Sequence, residues 1–346
     1  LKKLARWKKI TIGVVSLVVL AFIMLFPLNS YIESPGTADD LKSYVSVNNK
    51  RDKQSGSFMI TSVYLQRARP ATYLWALANP HASIEKEDDI TGGVSDATYE
   101  KVQNFYMKSA INESIATAYK AAGQEYTKKY LGIYVLQITK NSKFKHDIKV
   151  GDTVTKVNGH HFDTATGYQK YIGKQKVGTK VTVTYLHNGK EKTSTQPLIK
   201  LTTTRSGIGI VLTDNVKVTT KIPVDVEPGQ LGGPSGGLMF SLQIYEQLTG
   251  QNLRHGQKIA GTGTINPDGS VGEIGGIDKK VIAAKKSGAK IFFAPYVKPT
   301  KALLKYEEQH KTNYQLAKAT AKKYAPNMKV VPVKTFDDAI KYLQNN

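Results

Sequence analysis

The sequence predicts an α+β protein tethered by one N-terminal membrane-spanning helix. Three observations carry that expectation. An uncharged apolar run follows a basic N-terminus, the middle of the chain is a series of short β-rich segments broken by hairpin turns, and from about residue 205 onward strands, glycine-rich turns and helices alternate. A chain of 346 residues is too long for one ordinary compact domain and suits two with an accessory segment.

The anchor comes first. Lys2, Lys3, Arg6, Lys8 and Lys9 precede a stretch from Ile10 to Ile32 that holds no charge. About 20 apolar residues are enough to cross the ~30 Å hydrocarbon core as a helix. Glu33, Asp39 and Asp40 dominate just after it, so the positive-inside rule leaves residues 1–9 as a basic cytoplasmic tail, makes 10–30 the transmembrane anchor and puts the rest outside. A cleaved signal peptide is the alternative. Its apolar core is usually 7–15 residues long, shorter than this one, and Leu28-Asn29-Ser30 is a poor cleavage site.

Composition narrows the chemistry. The absence of cysteine removes disulfides, thiol catalysis and thiolate metal sites together. The net charge of +22 favours anionic surroundings. Its lysines and arginines are scattered, without the basic-aromatic stripes of a nucleic-acid reader, and export argues further against nucleic acid as a partner.

Beyond the anchor, Ser57 to Leu65 reads as a buried strand. Val102, Phe105, Ile111, Ile115 and Tyr119 recur at helical spacing between Asp96 and Ala122. Leu131 to Ile138 is β-rich. Val154 to Val157 runs into the turn signal Asn158-Gly159, Thr164 to Ile172 suits a short helix, and Lys180 to Leu186 and Glu191 to Leu198 flank a second hairpin turn.

The run Val150-Gly151-Asp152-Thr153-Val154-Thr155-Lys156-Val157-Asn158-Gly159 resembles the signature strand and turn of PDZ domains. Leu131-Gly132-Ile133 resembles that family's carboxylate-binding loop. The resemblance implies a PDZ domain over 125–200 that captures an extended peptide by strand addition, with the terminal carboxylate near Gly132. Tyr130 departs from the family, many members of which carry Gly there.

The chemistry lies further on, in Pro228-Gly229-Gln230-Leu231-Gly232-Gly233-Pro234-Ser235-Gly236-Gly237. Glycines allow sharp turns and close approach of backbone. Ser235 falls at the head of a helix, where unpaired amides can hold an oxyanion, although a serine there also serves as an ordinary N-cap. A serine nucleophile needs a base, and the seven histidines offer no triad. A buried lysine with a lowered pKa can serve. In Ile277 to Ala284, Lys280 is three residues after Ile277 and four before Ala284, bordering the apolar face; Lys279 is expected beside Lys286 on the solvent side.

The Gly-Pro-Ser-Gly-Gly run, Ala260-Gly261-Thr262-Gly263, Gly269 to Gly276, Lys280, Ile291 to Pro295 and Val330 to Ile340 together resemble the proteolytic domain of Lon proteases over about 205–343. The resemblance implies Ser235 as nucleophile, Lys280 as general base and Thr262 orienting the lysine. Backbone at Gly232, Gly233 and Ser235 would form the oxyanion site or its turn. It implies polypeptide substrates, no cofactor, no metal, and a homo-oligomeric ring. Gly232 stands where Lon commonly has an acidic residue, and Thr264 where it often has Glu. No G-x-x-x-x-G-K-[ST] phosphate loop is present, so no ATP motor is expected.

Anchor, PDZ and a Lon-type domain without ATPase resemble the YlbL/SepM-type exported Lon-like proteases. That likeness implies a Lon-type α/β proteolytic domain, built from 31–124 and 201–346, with the PDZ domain inserted into it. The expected function is a single-pass, membrane-anchored, ATP-independent serine endopeptidase outside the cytoplasmic membrane, acting on secreted or membrane-anchored polypeptides. A trypsin-like protease is disfavoured by the missing His/Asp pair, and a PDZ-bearing intramembrane metalloprotease by the missing H-E-x-x-H. An inactive PDZ-bearing scaffold is the alternative from another class.

Overall fold

The computed structural model describes residues 2–202 and 205–346. Leu1 of the expected basic tail, and Thr203 and Thr204 of the 201–346 segment, lie outside them. The first helix, α1 (Lys2–Leu25), contains an apolar span from Arg6 to Leu25 that is long enough to cross a membrane and makes no buried contact. Strand β1 (Ser30–Asp40) pairs antiparallel with β2 (Ser57–Arg67) and with β3 (Ser83–Lys86). Helix α2 (Asp96–Ala121) follows, its N-cap Ser95 accepting the Thr98 N–H.

A separate five-stranded sheet comes next. It contains β4 (Tyr126–Ile138), β5 (Thr153–Val157), helix α3 (Ala165–Gly173), β6 (Lys180–His187), β7 (Lys190–Pro197) and β8 (Ile210–Thr220), in the order β8-β4-β5-β6-β7. Of the two turn signals, Asn188-Gly189 closes a hairpin, with His187 opposite Lys190. Asn158-Gly159 turns as expected, with φ of 49° and 77°, but leads only to a single bridge between Val157 and His160. Strand β5 pairs instead with β4 and β6. This sheet has its own core, with Ile133, Val154, Val183 and Tyr168 all inaccessible to solvent or nearly so.

The chain then returns to the first sheet. Helix α4 (Gly237–Thr249), β9 (Lys258–Gly261), α5 (Ile277–Lys286), β10 (Ile291–Pro295), α6 (Asn313–Tyr324), β11 (Lys329–Val333) and α7 (Phe336–Gln344) complete it. The six strands run in the order β11-β10-β9-β2-β1-β3, and β9 lies parallel to both β2 and β10. Strands on either side of the β4–β8 sheet in sequence therefore share one sheet in space. The β4–β8 unit is entered and left on an antiparallel strand pair, Tyr126 to Ile138 against Ile210 to Thr220.

Side chains alternate across a strand, and the two cores follow that alternation. Phe58, Ile60, Ile259 and Phe293 face one side, under α4 and α7; Met59, Ala260, Phe292 and Ala294 face the other, under α5 and α6. The result is helix on both faces of a mixed sheet. Burying each of the large side chains contributes roughly 1.5–3 kcal/mol.

Candidate active site

In open α/β sheets, ligand sites form beyond the C-terminal ends of the parallel strands. Strand β9 ends at Gly261, and Thr262 and Gly263 continue from it. Gly263 adopts φ +143°, and a Cβ there would stand 2.5 Å from Val271 Cγ1. These two residues clamp the serine loop. The Gly263 N–H donates to the Ser235 carbonyl at 2.8 Å, Thr262 Oγ1 donates to the same oxygen at 3.0 Å, and the Leu238 N–H donates to the Gly263 carbonyl at 3.1 Å.

The glycines around Ser235 are required by close packing. A Cβ on Gly236, the N-cap of α4, would collide with Ile60 Cδ1, and one on Gly237 would lie 2.8 Å from the Ile265 backbone nitrogen. Gly236 rather than Ser235 starts the helix, and the Ser235 side chain makes no cap hydrogen bond. Its hydroxyl is thereby left for other partners.

Lys280 supplies one. Its Nζ lies 3.0 Å from Ser235 Oγ and 3.3 Å from Thr262 Oγ1, so the geometry brings Ser235, Thr262 and Lys280 together from three separate elements. Lys280 is buried whereas Ser235 is part-exposed. Burial lowers the lysine pKa to about 8, against the upward pull of Glu33 and Glu308. About a tenth of such a lysine is neutral at pH 7, far more than of an ordinary lysine, and that fraction can accept a proton.

Lys279 corrects the sequence expectation. It is buried rather than solvent-facing, and its Nζ pairs with Glu33 Oε2 at 3.1 Å and Asp278 Oδ1 at 3.3 Å. Burial works against its charge, but Glu33 and Asp278 outweigh that, and its pKa is raised. The physical reason is Glu33 on β1, which reaches over the start of α5 from far away in sequence. Gly276 makes room for it: with φ +66°, a Cβ there would approach Glu33 Oε1 to 2.8 Å. Two neighbouring lysines thus have opposite electrostatics, one held charged and one pushed toward neutrality.

The backbone amides divide as well. The Gly233 N–H donates to the Gln103 carbonyl of α2 at 3.0 Å, with Gly233 at φ +80°. Gly233 therefore builds the turn and has no free N–H in this conformation. Among the described residues, the N–H groups of Gly232 and Ser235 have no such partner. Gln103, Glu33 and Ser114, whose Oγ donates to the Gly237 carbonyl at 2.8 Å, were not singled out from sequence. Each lies more than 100 residues before the segment it contacts, Gln103 and Ser114 the serine loop and Glu33 the start of α5, and no local pattern signals them.

Leu131, Gly132 and Ile133 also differ from expectation. They lie within strand β4 rather than in an open loop, with Leu131 the extra residue of a bulge between the pairs Tyr130–Val216 and Gly132–Asn215. Ile133 is fully buried and faces Asp214 on one side and Val154 on the other. At Ile133 both edges of β4 are thus occupied, one of them by the chain's own β8, while Gly132, like the bulged Leu131, has a strand neighbour on the β8 side only. The Asp214 carboxylate also accepts the Ala165 N–H of α3 at 2.7 Å, closing the space between helix and strand.

Comparison with known proteins adds to this geometry. The PDZ domain family matches residues 121–198. The Lon protease of Desulforamulus reducens is 41% identical over 63 residues, covering 18% of this chain and 8% of that protein. The Lon protease of Campylobacter concisus is 32% identical over 109 residues, 32% of this chain and 12% of its own. Among solved structures, the PDZ domain of an SdrC-like protein from Listeria monocytogenes is 28% identical, covering 24% of this chain and 90% of its own, with a TM-score of 0.24. The chain spans about a tenth of the length of the curated relatives it matches. The chain thus carries a PDZ-like region and is similar, over 63 to 109 residues, to Lon proteases.

Proposed function

We propose that this protein is a membrane-anchored serine endopeptidase of the exported Lon-like type, working without ATP through a Ser235–Lys280 dyad. The observation that carries the reading is the 3.0 Å approach of a buried, pKa-lowered Lys280 amine to the hydroxyl of a part-exposed serine. The relatedness to Lon proteases supports the reaction class. The apolar span from Arg6 to Leu25 supports anchoring, and the basic residues before it support an exterior active site.

In this mechanism neutral Lys280 takes the Ser235 hydroxyl proton as Oγ attacks the scissile carbonyl carbon. The carbonyl oxygen becomes an oxyanion, which the N–H groups of Ser235 and Gly232 can receive. The Lys280 ammonium then protonates the departing amine, leaving an acyl-enzyme, and water releases the acyl group by the same proton path in reverse. Thr262 Oγ1 holds the lysine nitrogen while donating its own proton to the Ser235 carbonyl, which fixes loop and base together.

Substrates are polypeptides that are already unfolded or small, since no phosphate-loop motif for a motor is present. The test is incubation of the full chain in detergent with an unfolded protein and no nucleotide, with Ser235→Ala alongside. Cleavage by the parent and none by the variant is expected. Equal cleavage by both would remove Ser235 as nucleophile.

A further inference from the structure

The short helix Pro70–Ala78 contains no charged residue, yet Leu74, Trp75 and Leu77 on it are 65%, 48% and 66% exposed. Successive helical residues are rotated by about 100°, so Leu74, Trp75, Leu77 and Ala78 occupy one arc of about 160°. Tyr73 and Ala76 point the other way, into a small core with Ile32, Ala68 and Leu28. One exposed leucine needs no explanation. Three large apolar side chains on one uncharged face mark an interaction surface.

Its position says what covers it. The apolar span of α1 ends at Leu25, and Phe26 continues that helix by donating its N–H to the Phe22 carbonyl at 3.0 Å. The Leu28 N–H then donates to the Ala68 carbonyl at 2.8 Å, two residues before Pro70. From Leu25 to Leu28 the chain can reach at most about 10 Å. The headgroup layer on each side of a bilayer is itself about 5–7 Å thick. A helix pinned that close to the end of a spanning segment, and in contact with α1, sits at the level of the headgroups.

We propose that Pro70–Ala78 is a second membrane contact, lying in the lipid interface of the leaflet from which α1 emerges. Leu74, Trp75 and Leu77 enter the acyl boundary, as in interfacial amphipathic helices, and Trp75 takes the interfacial position that tryptophan favours. Arg69, exposed at the N-cap, meets the phosphates. The proposal rests on the reading that α1 spans the membrane. Two points of attachment prevent the exterior part from swivelling freely on its anchor.

The chain holds two tryptophans, Trp7 and Trp75, and both are exposed, so each can be read alone in the full-length protein. Trp7→Phe leaves Trp75 and Trp75→Phe leaves Trp7. Each variant is reconstituted into phosphatidylcholine vesicles, with or without lipid brominated near the headgroup end of its chains, and also titrated with aqueous iodide. Trp75 is expected to lose about half its emission to the bromolipid and to be shielded from iodide. Iodide quenching of Trp75 without a bromolipid effect, while Trp7 responds to bromolipid, overturns the docking and leaves the anchor intact. Insensitivity of both tryptophans to bromolipid overturns the anchor reading. Shielding of Trp75 from both quenchers, with cross-linking between chains, means that a second copy covers the helix, and the lipid contact falls.

Discussion

Replacing Lys280 with Met should inactivate the protein and make it more stable at neutral pH. The buried amine has its pKa lowered by burial from 10.5 to about 8, with Glu33 and Glu308 opposing. Between pH 8 and 10.5 the unfolded chain therefore binds a proton that the folded chain has released. Parent stability rises with pH through that window, and below it the full cost of burying the charge remains. At about 1.4 kcal/mol per pH unit, that cost is about 3 kcal/mol at pH 7 and less than half of that at pH 9.5.

Methionine carries no charge and has similar volume, so Lys280→Met removes the cost. It also removes the amine's contacts with Ser235 Oγ and Thr262 Oγ1, worth about 1 kcal/mol together in this setting. The net expectation is a variant about 2 kcal/mol more stable than the parent at pH 7, with most of that advantage gone by pH 9.5. Urea unfolding of both proteins in the same detergent at the two pH values measures it. An advantage that does not change with pH, or a variant less stable at pH 7, would refute the claim that Lys280 is a desolvated base.

Three further outcomes follow from the same geometry. Peptidase activity at subsaturating substrate should rise about tenfold per pH unit up to about pH 8 and then level off, because the neutral fraction of Lys280 does so; a flat profile from pH 5 to 10 with chemistry rate-limiting would refute its role as base. Asp52→Ala should cost about 3–5 kcal/mol, since it strips one carboxylate from the wholly buried Arg254 and leaves Glu246 alone beside it at 2.9 Å; chemical denaturation reads this, and a loss under 1 kcal/mol would be inconsistent with it. Gly237→Ala should lower stability by about 1–3 kcal/mol despite alanine's better helix propensity, because its Cβ would press 2.8 Å from the Ile265 nitrogen; a thermal midpoint at or above the parent's would contradict the packing.

Much of the local structure is legible in the sequence because its causes are local. The apolar run of α1, the Asn188-Gly189 hairpin and the helix from Asp96 to Ala121 each rest on patterns within a few residues. The spacing within α5 also distinguishes Lys280 as inward-facing. The same reasoning misplaces Lys279, because a helical period describes one apolar face and cannot know that Glu33 arrives from another strand. Likewise Leu131 to Ile133 carry a recognisable motif, but whether their strand edge is free depends on β8, some 80 residues later. What the sequence hides is pairing at long range.

That long-range pairing also links the β4–β8 unit to the serine loop. Helix α2 leads into β4, and its Phe105 ring stacks on Tyr134 of that strand with centroids 3.6 Å apart. The same helix holds the serine loop at two points, through the Gln103 carbonyl on the Gly233 N–H and the Ser114 hydroxyl on the Gly237 carbonyl. On the other side, β8 runs through the short strand Val224–Val226 into the glycine-rich turn itself. The unit is therefore joined to the segment around Ser235 from both directions, on one side through a hydrogen bond that occupies one of its loop amides. In the proposed mechanism, releasing the Gly233 N–H from Gln103 would add a third donor beside Ser235, so the position of α2 would bear on how well the loop receives an oxyanion.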